Sequence, residues 1–188
     1  MSRLDEALPF IPVRFAVLAV SDTRSLETDK SGATLAERIV AAGHDLIERA
    51  IVPDDIEEIR AIISRWMAEP GIDVVITTGG TGFTGRDITP EAIEPLFEKR
   101  MEGFSAVFHR ISYDKIGTST VQSRATAGLA NSTFIFVIPG STGACRDAFD
   151  GIIAPQFDYR HRPCNFVEIM PRLDEHLKRG KLQAAQGG

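Results

Sequence analysis

Short aliphatic runs alternate along the chain with segments in which apolar residues recur every three or four positions. Residues 13–20 (VRFAVLAV) and 73–78 (DVVITT) are nearly unbroken runs of β-branched and aliphatic residues, which is typical of strands buried on both faces. Residues 45–52 (DLIERAIV) also have strand character, and residues 132–139 (STFIFVIP) predict the last strand. The pattern therefore predicts four strands separated by helical segments.

Helical spacing of apolar residues follows the first and second of these strands. The first helix is predicted behind Ser31, a possible N-cap, and ends near Gly43. The second helix is predicted after Asp54, which stands three residues before Glu57 in an arrangement that resembles a capping box. Pro70 is expected to close this second helix, because proline cannot continue it.

A long, mostly helical stretch is predicted between the last two strands. Thr89 is a plausible N-cap, Pro90 follows at the first helical position, and Pro95 is expected to kink or split the helix. Residues 117–131 are rich in small and hydroxylated side chains and fit a helix and a loop equally well. After the last strand, Ser141 is expected to cap a final helix.

The alternation of strands and helices predicts an α/β fold with right-handed crossovers, a mainly parallel sheet and helices on both faces. A chain of 188 residues with 43% apolar residues is long enough for one well-packed domain and too short for two. We expect a single domain over residues 13–171, an N-terminal extension at residues 1–12 and a flexible C-terminal tail at residues 172–188.

Charge and hydropathy restrict the classes of partner. Acidic residues outnumber basic ones by 26 to 21 without a basic block, so the field of the protein repels a nucleic-acid backbone. No apolar run approaches the roughly 20 residues that cross a bilayer, and the start MSRLDEALPF lacks the pattern of a signal peptide. Cys145 and Cys164 lack CxxC spacing and fit a reducing compartment. We expect a cytoplasmic protein that binds neither nucleic acid nor membrane.

The stretch ITTGGTGFTGRDITPEAI, residues 76–93, places four glycines and an acid in front of a predicted helix. Glycines allow positive φ, so several backbone N–H groups can point at one anion, and the helix start adds partial positive charge. The glycines alone fit a phosphate site and a tight connecting turn equally well. Asp87 favours the phosphate site, because an acid beside a phosphate requires a cation between them.

Two common nucleotide motifs are not favoured in this stretch. GTGFTG at residues 80–85 matches the GxGxxG pattern, but the predicted helix starts four residues after the last glycine instead of inside the turn. A Walker A loop requires Lys-Ser or Lys-Thr in register, which the sequence lacks. We therefore expect neither a nicotinamide or flavin site nor a P-loop.

Six short motifs run in order along the chain: SDT at 21–23, DKSG at 29–32, VPD at 52–54, TTGGTGFTGRDITPEA at 77–92, SRATAG at 123–128 and PGS at 139–141. Together they resemble the MoaB/MogA family of molybdenum cofactor biosynthesis proteins. The segments IGTSTVQSRA at 116–125 and RPCNF at 162–166 resemble the MoaB branch more than the MogA branch.

The resemblance implies a three-layer α/β/α sandwich, assembly as a homotrimer or a dimer of trimers, and binding of molybdopterin. In active members it also implies adenylylation of molybdopterin by Mg-ATP with release of pyrophosphate. Two alternatives stay open. One is a noncatalytic molybdopterin-binding or scaffold protein of the same pathway, and the other is a nucleotide-binding regulatory oligomer.

The resemblance also assigns roles to individual residues. Asp54 and Asp87 are predicted to be the catalytic residues that hold Mg²⁺, although the residues alone fit a helix cap and a turn support. Phosphate or molybdopterin binding is assigned to six residues: Gly79, Gly80, Thr81 and Gly82 through their amides, and Ser123 and Arg124.

Two further strand ends are candidates for binding the nucleotide. They consist of Ser21, Asp22 and Thr23 after the first strand and Pro139, Gly140 and Ser141 after the last. Each fits a simple polar turn or cap as well as a ligand contact. Arg86, Lys30 and Arg124 are cations that can offset phosphate charge.

Overall fold

The structure is a computed structural model that describes residues 3–69 and 71–175. The predicted helix stop at Pro70 and most of the predicted tail, residues 176–188, lie outside the described residues. The described residues form two compact units, of which one lies within Pro12–Ala154 and the other combines residues before Pro12 with residues after Ala154.

The strands are β1 (Arg3–Leu4), β2 (Arg14–Val20), β3 (Asp45–Val52), β4 (Val74–Thr78), β5 (Lys99–Arg100), β6 (Thr126–Ala130), β7 (Thr133–Ile138) and β8 (His161–Arg162). The helices are α1 (Lys30–Ala41), α2 (Ile56–Ala68), α3 (Thr89–Ile93), α4 (Glu102–Ile116), α5 (Thr142–Ala148) and α6 (Ala154–Gln156). Short 3₁₀ turns lie at Glu94–Leu96, Gly117–Gln122 and Met170–Arg172, and a π-helical turn at Phe149–Ile153 follows α5.

A six-stranded sheet in the order β3-β2-β4-β7-β6-β5 forms the centre of the larger unit. Strand β2 runs parallel to β3 and β4, and β4 runs parallel to β7. Strands β6 and β7 are antiparallel, as are β5 and β6. In the smaller unit, β1 pairs antiparallel with β8. The predicted mainly parallel α/β sheet is confirmed.

Both faces of the sheet are buried under helices. One face shares a core with α2 and α3 through residues of β2 and the two helices: Ala16, Leu18, Val20, Ile59, Ile63, Trp66, Ala92 and Ile93. On the other face, the ring of Phe15 lies 6.3 Å from that of Phe149, and Phe136 lies 5.1 Å from Phe104 of α4. The alternating side chains of central strands thus build the predicted three layers.

The predicted caps of α1 and α2 are wrong by one or two residues. Helix α1 is capped by Asp29, whose carboxylate accepts from the amide of Gly32 at 3.0 Å, and Ser31 lies inside the helix. Helix α2 is capped by Asp55, which accepts from the amide of Glu57 at 2.9 Å. Asp29 and Asp55 both have the extended backbone that an N-cap requires. The carboxylate of Asp54 is therefore not used as a helix cap.

The predictions for α3 and α5 have mixed outcomes. Ser141 caps α5 as predicted, because its hydroxyl accepts from the amide of Ala144 at 3.1 Å. Thr89 begins α3 without capping it, and its hydroxyl instead donates to the carbonyl of Gly79 at 2.9 Å. The predicted break at Pro95 is confirmed, since α3 ends at Ile93 and a 3₁₀ turn follows.

Residues 117–131 are neither a helix nor a loop throughout, and both alternatives are wrong for their second half. Strand β6 occupies Thr126–Ala130 and pairs with β7 and β5. A side chain on Gly128 would stand 2.3 Å from the ring of Phe97, so this strand needs a residue with little strand propensity. Because glycine at position 128 has low strand propensity, the sequence of this segment does not indicate a strand.

The two cysteines are free thiols, with Cys145 buried and Cys164 exposed. Among the described residues, no helix is both long and apolar enough to span a membrane.

Replacing Asp29 with alanine is expected to lower the free energy of unfolding by about 3 kcal/mol. Asp29 is buried, caps α1 and receives a hydrogen bond from Arg49 at 3.0 Å, so the change removes a cap and leaves a largely buried guanidinium without its carboxylate. Denaturant titration measures the loss, with Asp114→Ala on the exposed face of α4 as the control. Equal midpoints for wild type and Asp29→Ala would contradict this account.

Candidate functional site

A cavity of 540 Å³ opens where β2, β4 and β7 end, at the carboxyl edge of the parallel strands. Ligands of open α/β sheets bind at this edge because loops and helix starts converge there. The cavity is lined by all of the predicted site residues except Arg124: residues 21–23, Asp54, residues 79–82, Asp87, Ser123 and residues 139–141. The structure thus brings the loops after β2, β4 and β7 together with Asp54 and Ser123 from two further segments.

The turn after β4 has a backbone conformation that favours glycine. Gly79 has a φ of 106° and Gly80 a φ of 61°, both in the left-handed region. A Cβ on Gly79 would lie 2.3 Å from the carbonyl oxygen of Val20, and one on Gly80 would lie 2.3 Å from the hydroxyl of Thr89. The turn therefore packs without space for a side chain, as the glycine pattern predicts.

The four predicted amide donors are not equivalent. The amide of Gly79 donates to the carbonyl of Ile138 at 3.2 Å, and that of Gly82 faces the carboxylate of Asp87 and helps to lower its pKa. Among the described residues, no protein acceptor lies against the amides of Gly80 and Thr81. The structure thus leaves Gly80 and Thr81 as the donors available to an anion in the cavity, while Gly79 and Gly82 shape the loop.

Two carboxylates lie directly against this turn. A Cβ on Gly80 would stand 2.8 Å from Oδ1 of Asp54, and a Cβ on Gly82 would stand 2.8 Å from Oδ2 of Asp87. Oδ2 of Asp87 accepts hydrogen bonds from the hydroxyl of Thr84 at 2.6 Å and from its amide at 2.9 Å. Both predicted metal-binding acids therefore border the same few peptide groups.

The two acids differ in the environment of their charge. Partial burial raises the pKa of Asp54, and repulsion by the carboxylate of Asp22 raises it further. Asp87 shows the opposite shift, because the hydrogen bond from the Thr84 hydroxyl lowers the pKa of its carboxyl. Asp54 is thus an electrostatically costly carboxylate, which a bound cation would relieve.

A third carboxylate and a cation of the cavity wall pair with each other. Arg86 binds Asp22 through two hydrogen bonds, Nε to Oδ2 at 2.8 Å and Nη2 to Oδ1 at 2.7 Å. This contact lowers the pKa of Asp22, which also accepts from the amide of Asp54 at 3.1 Å. Arg86 lines the cavity, so its charge is close to any anion bound there, whereas Lys30 is exposed on α1 and does not line it.

The third loop, residues 139–141, touches the glycine turn. A Cβ on Gly140 would stand 3.1 Å from the Cα of Gly79, and the carbonyl of Gly140 accepts from the hydroxyl of Ser31 at 2.8 Å. At the end of β2, the hydroxyl of Ser21 accepts from the amide of Thr23 at 3.3 Å in a local polar turn. Both predicted nucleotide loops line the same cavity.

Ser123 and Arg124 are neighbours with different environments. Oγ of Ser123 is buried and has no hydrogen-bond partner among the described residues, although the residue lines the cavity. The guanidinium of Arg124 instead binds the protein's own carbonyls, at 2.8 Å from Gly82 and 2.7 Å from Asp87. Arg124 does not line this cavity, and its contact with a phosphate stays a prediction.

Sequence reasoning missed several residues of the wall. Arg24, Asp29, Ser31 and Gln122 line the cavity, although the sequence analysis assigned none of them a role in ligand binding. The DKSG motif contains two of them and was noticed only for its resemblance. Their contribution was not predictable because it depends on contacts between loops, such as the hydrogen bond from Arg24 Nη1 to the Ser31 hydroxyl at 3.0 Å.

The donor set of the cavity fits magnesium that arrives together with a phosphate. In the part of the chain that the structure describes, no group of three or more His, Cys, Asp or Glu side chains is arranged to hold a metal ion. Mg²⁺ commonly uses one or two carboxylates and completes its coordination with phosphate oxygens and water. Asp54 and Asp87 match that smaller requirement, beside amides suited to the phosphate.

Replacing Asp54 with asparagine is expected to increase the free energy of unfolding at pH 7. The pKa of Asp54 is raised in the fold, so its charge destabilises the native state above that pKa, and the penalty disappears once the carboxyl is protonated. The gain from Asp54→Asn should therefore shrink as the pH falls below the raised pKa. Denaturant titrations across the acidic range measure it.

Asp87→Asn is the matched opposite case. The lowered pKa of Asp87 stabilises the fold above the unfolded-state pKa, and this contribution is lost as the pH falls through the folded-state pKa. Asp87→Asn should thus be less stable than wild type at pH 7. An Asp54→Asn variant that is also less stable at pH 7 would contradict the assigned environment of Asp54.

The chain is similar to known proteins over most of its length. Residues 16–159 match the family described as a probable molybdopterin binding domain. The molybdenum cofactor biosynthesis protein B of Escherichia coli strain K12 is 53% identical over 157 residues, which cover 84% of this chain and 92% of that protein.

Solved structures show the same similarity. A crystal structure of a molybdenum cofactor biosynthesis protein B is 42% identical and superposes with a TM-score of 0.76, covering 78% of this chain and 91% of that chain. The tungsten cofactor synthesizing protein MoaB from Pyrococcus furiosus is 38% identical, with a TM-score of 0.68 and coverage of 78% and 93%.

Proposed function

The chain belongs to the family of molybdopterin-binding domains of molybdenum cofactor biosynthesis proteins, and from this premise we propose that it adenylylates molybdopterin with Mg-ATP and releases pyrophosphate. Molybdenum cofactor biosynthesis is the process to which the family belongs. The observation that carries the proposal is the position of Asp54 and Asp87 against the turn of Gly80 and Thr81.

The reaction requires positioning of two phosphates and no covalent protein intermediate. An oxygen of the molybdopterin phosphate attacks the α-phosphorus of ATP, the new P–O bond forms, and the bond to the β-phosphate oxygen breaks to release pyrophosphate. Holding the two groups in line removes much of the entropic cost of the reaction. The amides of Gly80 and Thr81 offer donors to one phosphate.

The negative charge of the cavity explains the role that we propose for its carboxylates. Four carboxylates line the cavity, and they repel a polyphosphate unless a cation lies between them and the phosphates. Asp54 and Asp87 are the residues that would hold Mg²⁺, which would supply neutralisation of the phosphate charge. Arg86 adds a fixed positive charge that Asp22 orients in the absence of a ligand.

The proposed assembly is a homotrimer or a dimer of trimers, and the proposed location is the cytoplasm. Helix α4 exposes Val107 at 46%, Tyr113 at 57% and Ile116 at 56%, and exposed apolar side chains of this size are common at subunit contacts. Sedimentation equilibrium of the purified chain distinguishes one, three and six subunits.

The proposed activity is tested with purified chain, molybdopterin and Mg-ATP, by measuring pyrophosphate. We expect pyrophosphate and adenylylated pterin in equal amounts, with no release when either substrate or Mg²⁺ is left out. A noncatalytic scaffold would bind molybdopterin without releasing pyrophosphate, and a nucleotide-binding regulator would bind ATP without the pterin and release no pyrophosphate when the pterin is added. Either of these outcomes would overturn the proposal.

A further inference from the structure

We propose that Arg124 is a positioning residue that fixes the conformation of the segment 82–87 and thereby the orientation of the Asp87 carboxylate, instead of binding a phosphate. This inference rests on the proposed function only for its kinetic consequence. The segment 82–87 runs from the glycine turn to Asp87 and borders the cavity at both ends.

All three nitrogens of the Arg124 guanidinium donate to groups of the protein. Nε donates to the carbonyl of Gly82 at 2.8 Å, Nη2 donates to the carbonyl of Asp87 at 2.7 Å, and Nη1 pairs with the carboxylate of Glu91. The backbone amide of Arg124 also donates to the carbonyl of Thr81 at 3.0 Å. One side chain thus joins the first and last residues of the segment.

The geometry of these bonds requires a planar fork. Gly82 and Asp87 are the two ends of the segment, and a guanidinium can reach both carbonyls at once because its donors point in fixed directions. A lysine ammonium has the same charge on a flexible stem and cannot reproduce this pairing. The shape of the donor group therefore matters more here than its charge.

Hydrogen bonds within the segment 82–87 hold the Asp87 carboxylate in place. Oδ2 of Asp87 accepts from both the amide and the hydroxyl of Thr84, and the amide of Asp87 donates to the carbonyl of Thr84 at 3.0 Å. The guanidinium also lies 5.5 Å from the centre of the Phe83 ring, which is 72% exposed at the tip of the segment. Gly82 and Phe83 thus contact Arg124, and Thr84 contacts Asp87.

Arg124 itself is anchored from the opposite side by α4. Nε2 of His109 lies 3.1 Å from the carbonyl of Ser123, and the amide of Ser123 donates to the carbonyl of Thr120 at 3.1 Å. These contacts fix the backbone that carries the clamp. Helix α4 and the 3₁₀ turn after it thus support the backbone of Arg124, which holds the segment of the candidate metal-binding carboxylate.

The test compares Arg124→Lys and Arg124→Gln with wild type by hydrogen exchange of the amides at 82, 84 and 87 in the protein without ligand. We expect both variants to increase exchange at these amides about tenfold or more, because each loses charge-assisted hydrogen bonds, while the thermal midpoint confirms folding. Glu91→Gln is the matched control, since it weakens only the Nη1 contact, and should exchange like wild type.

The kinetic readout separates positioning from phosphate binding. We expect both Arg124 variants to lower kcat for pyrophosphate release about 100-fold with little change in KM for ATP, as small misplacements of a catalytic group do. If Arg124→Gln raised the KM for ATP and Arg124→Lys did not, Arg124 would act through its charge. That result would overturn the proposal. Unchanged exchange in both variants would also overturn it.

Failure of the proposed function has a different signature. If wild type releases no pyrophosphate, the adenylylation proposal falls, and the exchange measurement still decides whether Arg124 fixes the segment 82–87. If Arg124→Lys does not fold, Arg124→Gln provides the same comparison of hydrogen exchange, because it also lacks the guanidinium.

Discussion

Replacement of Asp87 by asparagine is expected to reduce adenylylation of molybdopterin about a thousandfold while the chain remains folded. Asparagine keeps a side-chain oxygen that can accept from the amide and hydroxyl of Thr84, so the local turn is preserved. The negative charge is lost, and with it the partner proposed for the magnesium ion. Pyrophosphate release at saturating substrates measures the effect.

The matched control is Asp114→Asn, the same chemical change on the exposed face of α4 and outside the cavity. Its rate should equal that of wild type. Turnover by Asp87→Asn at the rate of this control would remove Asp87 from the catalytic assignment.

Replacement of Gly80 by alanine is expected to weaken Mg-ATP binding about 100-fold and to lower the free energy of unfolding by about 3 kcal/mol. The φ of 61° disfavours any side chain, and a Cβ would stand 2.3 Å from the Thr89 hydroxyl and 2.8 Å from Oδ1 of Asp54. Thr89 is buried and its hydroxyl is bonded to Gly79, so it cannot turn away. The turn and Asp54 must therefore move apart.

Gly85→Ala provides the control within the same loop. No atom lies within 4 Å of a Cβ built on Gly85, so calorimetric ATP binding and stability should match wild type. Equal binding by Gly80→Ala and Gly85→Ala would show that the shape of the turn at Gly80 does not matter for the nucleotide.

The central strands were predictable because their signal is local. Strands β2 and β4 are buried on both faces, so their sequences are apolar without alternation and can be recognised one segment at a time. Strand β6 depends on pairing with β7 and on the close approach of Phe97 to Gly128, neither of which appears in its own sequence. Long-range pairing is the part of the fold that local patterns do not contain.

The same distinction applies to the candidate site. The motif pattern identified the loops that line the cavity, because strand ends in a parallel sheet converge at one edge. The motif pattern did not identify which donor groups of these loops are already bonded within the protein. Hydrogen bonds from the Gly79 amide to Ile138 and from Arg124 to Gly82 are made across the fold. Of the adjacent acids Asp54 and Asp55, the structure shows that Asp55 caps α2 and that Asp54 lines the cavity.

The central claim is that Asp54 and Asp87 hold a divalent ion against an anion on the amides of Gly80 and Thr81. A crystal grown with pyrophosphate and Mn²⁺, used as an anomalous substitute for Mg²⁺, tests it directly. The account predicts one manganese peak bonded to both carboxylates and to a phosphate oxygen, with a second phosphate oxygen at the two amides. Pyrophosphate bound elsewhere, or manganese without either aspartate among its ligands, would contradict it.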